Sequence, residues 1–129
     1  MSNPLRASAV IFAKDNARLA RFYTEVLKAR TIRAEPGYEV LQLADIELVI
    51  HAIPEHIANT FETASPPALR EDASIKLAFP VVSLESTRKV VTSLGGVAHG
   101  RSWQGEGFTA CDVSDPEGNV LQLREAAHS

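Results

Sequence analysis

The chain has 129 residues, 45% of them hydrophobic, with 13 basic and 16 acidic side chains and a formal net charge of -3. That length buries a real core without asking for a second independent domain, and so mild an acidity leaves no basic patch of the size a phosphate backbone requires, which excludes nucleic acid as a partner. No apolar run approaches the roughly 20 residues of a membrane span, the first six residues carry no signal-peptide core, and a single cysteine, Cys111, rules out an internal disulfide; together these predict a cytoplasmic protein.

In chain order, Ser8 to Ala13 is rich in residues that suit a pleated, buried surface and is broken by Lys14-Asp15-Asn16, which reads as a strand and its end. Asp15 is an N-cap for the helix that follows, where Leu19, Phe22, Tyr23, Val26 and Leu27 fall on one face and pack it onto a sheet. Val40 to Leu43 and Glu47 to His51 are the clearest later strands of this half. Pro54 to Ser74, with Pro66-Pro67 and scattered acids, has no strand period and reads as a linker or rim. Its Ile57, Phe61 and Leu69 suggest that part of it docks as a short helix.

The same grammar then returns. Ile75 to Val82 predicts a strand, Ser83 caps a helix carrying Leu84, Val90, Val91 and Leu94, and Gly95-Gly96 supplies the residue that ends it in a left-handed turn. From Ser8 to Ile75 is 67 residues and from Asp15 to Ser83 is 68, a repeat that occurs twice and so defines two halves of one pseudo-symmetric domain. Phe108 to Val113 and Val120 to Leu123 are the clearest closing strands, joined by Asp115-Pro116-Glu117-Gly118-Asn119. That segment has the proline and glycine of a tight turn, so its acids have a backbone reason and need no catalytic one. Cys111, inside an apolar strand, reads as a small core residue rather than a nucleophile.

Strand, Asp15, helix with Phe22-Tyr23 and Leu27, later strands, then a second module closing on Asp-Pro-Glu-Gly-Asn and Val120-Leu121-Gln122-Leu123 resembles the vicinal oxygen chelate superfamily of glyoxalase I, extradiol dioxygenases, fosfomycin-modifying enzymes and bleomycin-binding resistance proteins. The resemblance runs from about Ser8 to Glu125. It implies an α+β fold: two pseudo-symmetric βαβββ modules, about residues 7–53 and 74–126, joined by a linker over about 54–73, forming a curled mixed sheet around a single cup-shaped pocket. It also implies a homodimer.

Metalloenzymes of that superfamily hold their ligands on the first and last strands of the modules. By resemblance those positions fall on Ser8, Leu48, Lys76 and Gln122, with Glu47 in place of Leu48 if the register is off by one. None of the four offers imidazole nitrogen or carboxylate oxygen, and an ammonium has no lone pair to give, so the expectation is no metal and no cofactor. His51, His56, His99 and His128 stand at no metal-ligand spacing from one another. A one-residue slip would turn Glu47, Val49 and His51 inward together.

Alternation places Val10 and Phe12 on the face of Ser8, and Arg124 on the face of Gln122. Ser8, Val10, Phe12, Leu48, Lys76, Gln122 and Arg124 are therefore the expected lining of a small-molecule site. Trp103, between glycines, is expected either to close over the ligand or to cover an edge of the core. The predicted function is metal-independent binding of a small organic ligand, by a sequestering resistance-type protein or an unassigned enzyme. The alternative is a divalent-metal-dependent glyoxalase- or dioxygenase-like enzyme in which Glu47 or His51 points inward.

Overall fold

A computed structural model describes residues 6–54 and 73–127, and the short helix expected between Pro54 and Ser74 lies outside them. The chain forms two compact units, Met1–Glu62 and Thr63–Ser129. Among the described residues the first unit holds β1 (Ala7–Ala13), α1 (Asn16–Leu27), β2 (Arg30–Glu35), β3 (Tyr38–Gln42) and β4 (Ile46–Ala52). The second holds β5 (Leu77–Pro80), α2 (Leu84–Ser93), β6 (Val97–Gly105), β7 (Phe108–Ser114) and β8 (Val120–Ala126).

Each unit is a four-stranded sheet with the same permuted order, β1-β4-β3-β2 and β5-β8-β7-β6. The first strand of each pairs in parallel with the last, and the remaining pairs are antiparallel. The fold is thus α+β, built on two mixed sheets, with the two halves that the repeat in the sequence predicts and the fold class that the resemblance implies.

One face of each sheet is covered by its unit's helix. In the first unit α1 buries Leu19, Ala20, Phe22, Tyr23, Val26 and Leu27, and Phe22 meets Tyr23 edge to face at 5.2 Å between ring centroids, a favoured geometry for buried aromatics. Asp15 caps this helix by accepting from the backbone N–H of Arg18 at 3.1 Å. In the second unit Leu84, Thr87 and Val91 of α2 are buried, while Phe79, Cys111, Val113, Leu121 and Leu123 complete the core of the sheet. Ser83 caps α2 from Ser86 N at 3.2 Å, and the Glu125 carboxylate of β8 accepts from Leu84 N at 2.7 Å. Gly95, at φ 89°, provides the left-handed exit.

The turn between β7 and β8 is held from inside. Asp115 is fully buried, and its carboxylate accepts from Glu117 N at 2.8 Å, Asn119 N at 3.1 Å and Asn119 Nδ2 at 2.8 Å. The structural reading of Asp-Pro-Glu-Gly-Asn is therefore correct, with Gly118 at φ 89° making the reversal.

Candidate functional site

The face of each sheet away from its helix is where polar and exposed apolar side chains collect. On the first sheet the registers Ser8↔Glu47↔Gln42, Val10↔Val49↔Val40 and Phe12↔His51↔Tyr38 form three cross-strand rows, because residues paired across strands share a face. The first row is polar, the second aliphatic and the third aromatic. Val10 and Phe12 are 50% and 58% exposed, as a ligand-facing wall would be.

This register corrects one expected site residue. Leu48 pairs with Ala9 and Leu41 and is fully buried, so it belongs to the helix-covered core, and Glu47 takes the place beside Ser8. Because β4 lies between β1 and β3 and carries aliphatic residues at both parities, the apolar pattern cannot tell its two faces apart. The usable signal was the polar pair Glu47 and His51, which share one parity.

In the aromatic row, His51 lies 5.6 Å from Phe12 and stacks on Tyr38 at 6.2 Å with an 11° interplanar angle. Arg33 of the edge strand β2 sits over the Tyr38 ring at 5.7 Å, and the Tyr38 hydroxyl donates to Glu35. That hydrogen bond, aided by the Arg33 charge, holds the Glu35 carboxyl below its usual range, and the same bond pushes the Tyr38 phenol up.

On the second sheet the corresponding face carries Lys76, Gln122, Arg124, Asp112, His99 and Trp103, placed there by Ala78↔Gln122↔Asp112↔His99 and Pro80↔Arg124↔Ala110↔Trp103. Lys76 meets Asp112 at 3.0 Å. His99 Nε2 is 2.9 Å from the hydroxyl of Ser114, which is fully buried and so is closed to a substrate. Arg124 donates to Gln122 Oε1 at 2.6 Å and lies over the Phe108 ring at 4.5 Å. Trp103 is 42% exposed and stands within the edge strand β6; the neighbouring bulge between His99 and Trp103 interrupts the strand period there. Asp112 and Phe108 escaped the sequence reading, although a lone charge inside the apolar run Phe108 to Val113 was a visible signal for the first.

Neither sheet presents a metal's donor set. Around Ser8 the strand neighbours offer one carboxylate, Glu47, and beside Gln122 the one carboxylate, Asp112, is already paired with the Lys76 ammonium. No group of three or more histidine, cysteine, aspartate or glutamate side chains suited to a metal ion occurs among the described residues. A divalent ion of the kind the superfamily's metalloenzymes use does not fit these residues.

The model of the glyoxalase-like domain family matches residues 8–124. The chain belongs to that family, within the vicinal oxygen chelate superfamily. No curated protein matches its sequence significantly. Among solved structures it is similar to a glyoxalase/bleomycin resistance protein/dioxygenase family enzyme from Burkholderia phytofirmans, at 18% identity and TM-score 0.71 over 94% of this chain and 98% of that one. It is similar also to the fosfomycin resistance protein FosX from Mesorhizobium loti, at 17% identity and TM-score 0.65 over 98% and 95%. A FosX mutant from Listeria monocytogenes, solved with Mn(II) and a dihydroxypropylphosphonic acid, gives 14% identity and TM-score 0.67 over 98% and 93%. Identities this low carry the fold and leave the chemistry to the residues.

Proposed function

We propose that this chain is a metal-independent small-molecule-binding protein of its superfamily, acting by sequestration or as an enzyme whose reaction is unassigned. The observation that carries the reading is the ion pair of Lys76 with Asp112 at 3.0 Å: a cation stands where relatives place a metal ligand, and it already has its counter-charge. Each sheet by itself carries a mixture of apolar surface and a few polar groups, Ser8, Val10 and Phe12 on the first and Gln122, Arg124 and Trp103 on the second, the usual make-up of small-molecule sites. The metalloenzyme alternative gains Glu47 from the corrected register, yet its cross-strand neighbours Ser8 and Gln42 are neutral, short of the three protein ligands that catalytic sites supply.

A thermal-shift screen with small aromatic and aliphatic organic molecules tests the reading. Stabilisation that persists in excess EDTA is expected; stabilisation that vanishes with EDTA and returns with Mn²⁺ or Zn²⁺ would establish the metalloenzyme instead. The protein is further proposed to be a cytoplasmic homodimer, since every sheet ends in two edge strands and free edges and exposed apolar faces are commonly covered by self-association. Light scattering should give about twice the 14.0 kDa of one chain.

A further inference from the structure

Two cations face away from the helix on the second sheet, and their surroundings differ. The Lys76 ammonium is neutralised by Asp112 at 3.0 Å, so an incoming anion would meet a pair with no net charge. Arg124 forms no ion pair among the described residues. Its Nε donates to Gln122 Oε1 at 2.6 Å and its guanidinium carbon lies 4.5 Å from the centre of the Phe108 ring. Gln122 is a neutral acceptor and the ring a polarisable floor, so both orient the guanidinium without cancelling its charge. The end-on pair of terminal nitrogens is bonded to no described residue.

The floor itself depends on Gly105. A Cβ there would overlap the Phe108 ring atoms, so glycine lets the ring keep its place against β6 beneath Arg124. Trp103, 42% exposed, shares a cross-strand row with Arg124, and Ala110 lies between them. Two strand spacings separate Trp103 from Arg124, roughly 10 Å between backbones; Ala110 between them is itself fully covered, so a ligand would lie on the outer side of the indole and the guanidinium. A flat ring against the indole can carry a carboxylate to the guanidinium fork across that distance.

We propose that Arg124, and not Lys76, is the anion anchor of this protein, and that with Trp103 it selects aromatic carboxylates. The assignment rests on the small-molecule-binding reading above and names its ligand class. An end-on guanidinium gives two parallel charge-assisted hydrogen bonds to a carboxylate and cannot give them to a neutral amide.

The probes are benzoate and its neutral isostere benzamide, followed by NMR on the intact protein; Trp103 is the only tryptophan, so its indole N–H is a single resolved reporter. Benzoate should move that resonance and bind at least about tenfold more tightly than benzamide. Arg124→Gln should lose at least about tenfold in benzoate affinity, Arg124→Lys should recover only part of it, and Lys89→Gln, on the exposed side of α2, should stay within about twofold of the parent. Phe108→Leu removes the floor while leaving the charge and should weaken benzoate several-fold, which covers the case of an Arg124 variant that fails to fold. Equal binding of the two probes, benzoate affinity unchanged in Arg124→Gln, or a loss confined to Lys76→Met would each overturn the anchor. If benzoate is silent while neutral molecules from the thermal-shift screen bind, the anchor alone falls; if nothing binds, the small-molecule reading falls with it.

Discussion

Asp115 shows how a carboxylate that reads as catalytic in isolation is spent on the backbone. It is fully buried and accepts three hydrogen bonds from the turn it opens, so Asp115→Ala would leave those donors without their acceptor. Each buried unsatisfied group costs roughly 1–3 kcal/mol, and a loss of about 2–4 kcal/mol is expected in urea unfolding. Tyr38 and Glu35 make the opposite case, an exposed pair whose signature is in titration. The Tyr38 hydroxyl donates to Glu35, which pushes the phenol up and the carboxyl down. The Glu35 contribution is present above the ordinary carboxylate range and fades as pH falls through its lowered value. The Tyr38 contribution is present below the ordinary phenol range and fades as pH rises through its raised value. Phenolate absorbance against pH should place Tyr38 above an ordinary tyrosine, and Glu35→Ala should return it; a Tyr38 titration unmoved by that substitution would show the bond to be absent in solution.

Helix α2 is tied to its sheet at its first turn, where Ser83 and Glu125 satisfy different backbone N–H groups. Ser83→Ala should cost about 1 kcal/mol as an ordinary cap loss. Glu125→Ala should cost as much or more, because its carboxylate also complements the positive end of the helix dipole, and denaturant midpoints of the two variants measure both. This link crosses 41 residues of sequence, so no local pattern announces it. The elements that were legible, β1, α1, β3, β4, β5, α2, β7 and β8, each bury apolar residues against a core. The two that were not, β2 and β6, are edge strands. All six residues of β2 are exposed, and the register of β6 shifts between His99 and Trp103. With no buried face, or with a bulge resetting it, alternation has nothing to report. The site residues follow the same rule: Ser8, Val10, Phe12, Gln122 and Arg124 could be placed on a common face of their strands, whereas Leu48 could not, since central strand β4 is apolar at both parities.

The two units share one plan, a parallel first-to-last strand pair flanked by an antiparallel ribbon, and the superfamily's metal chemistry depends on what those first and last strands present. Here they present Ser8 with Glu47 in one unit; in the other, Gln122 stands beside Asp112, whose carboxylate is taken by Lys76 just ahead of β5. Serine and glutamine are neutral oxygen donors, glutamate is an anionic ligand, and lysine adds a charge of the same sign as the ion. Transition-metal sites in proteins are assembled from imidazole, thiolate and carboxylate, so the first unit offers one strong ligand here and the second a carboxylate already neutralised by a lysine. Protein purified without chelators should therefore contain well under one equivalent of Mn, Fe, Ni or Zn, and added EDTA should leave its melting temperature unchanged, because only a ligand bound to the native state raises it. Elemental analysis returning about one ion per chain, together with a melting temperature that drops on chelation, would mean that Glu47 recruits further ligands and that the protein works as a metalloenzyme.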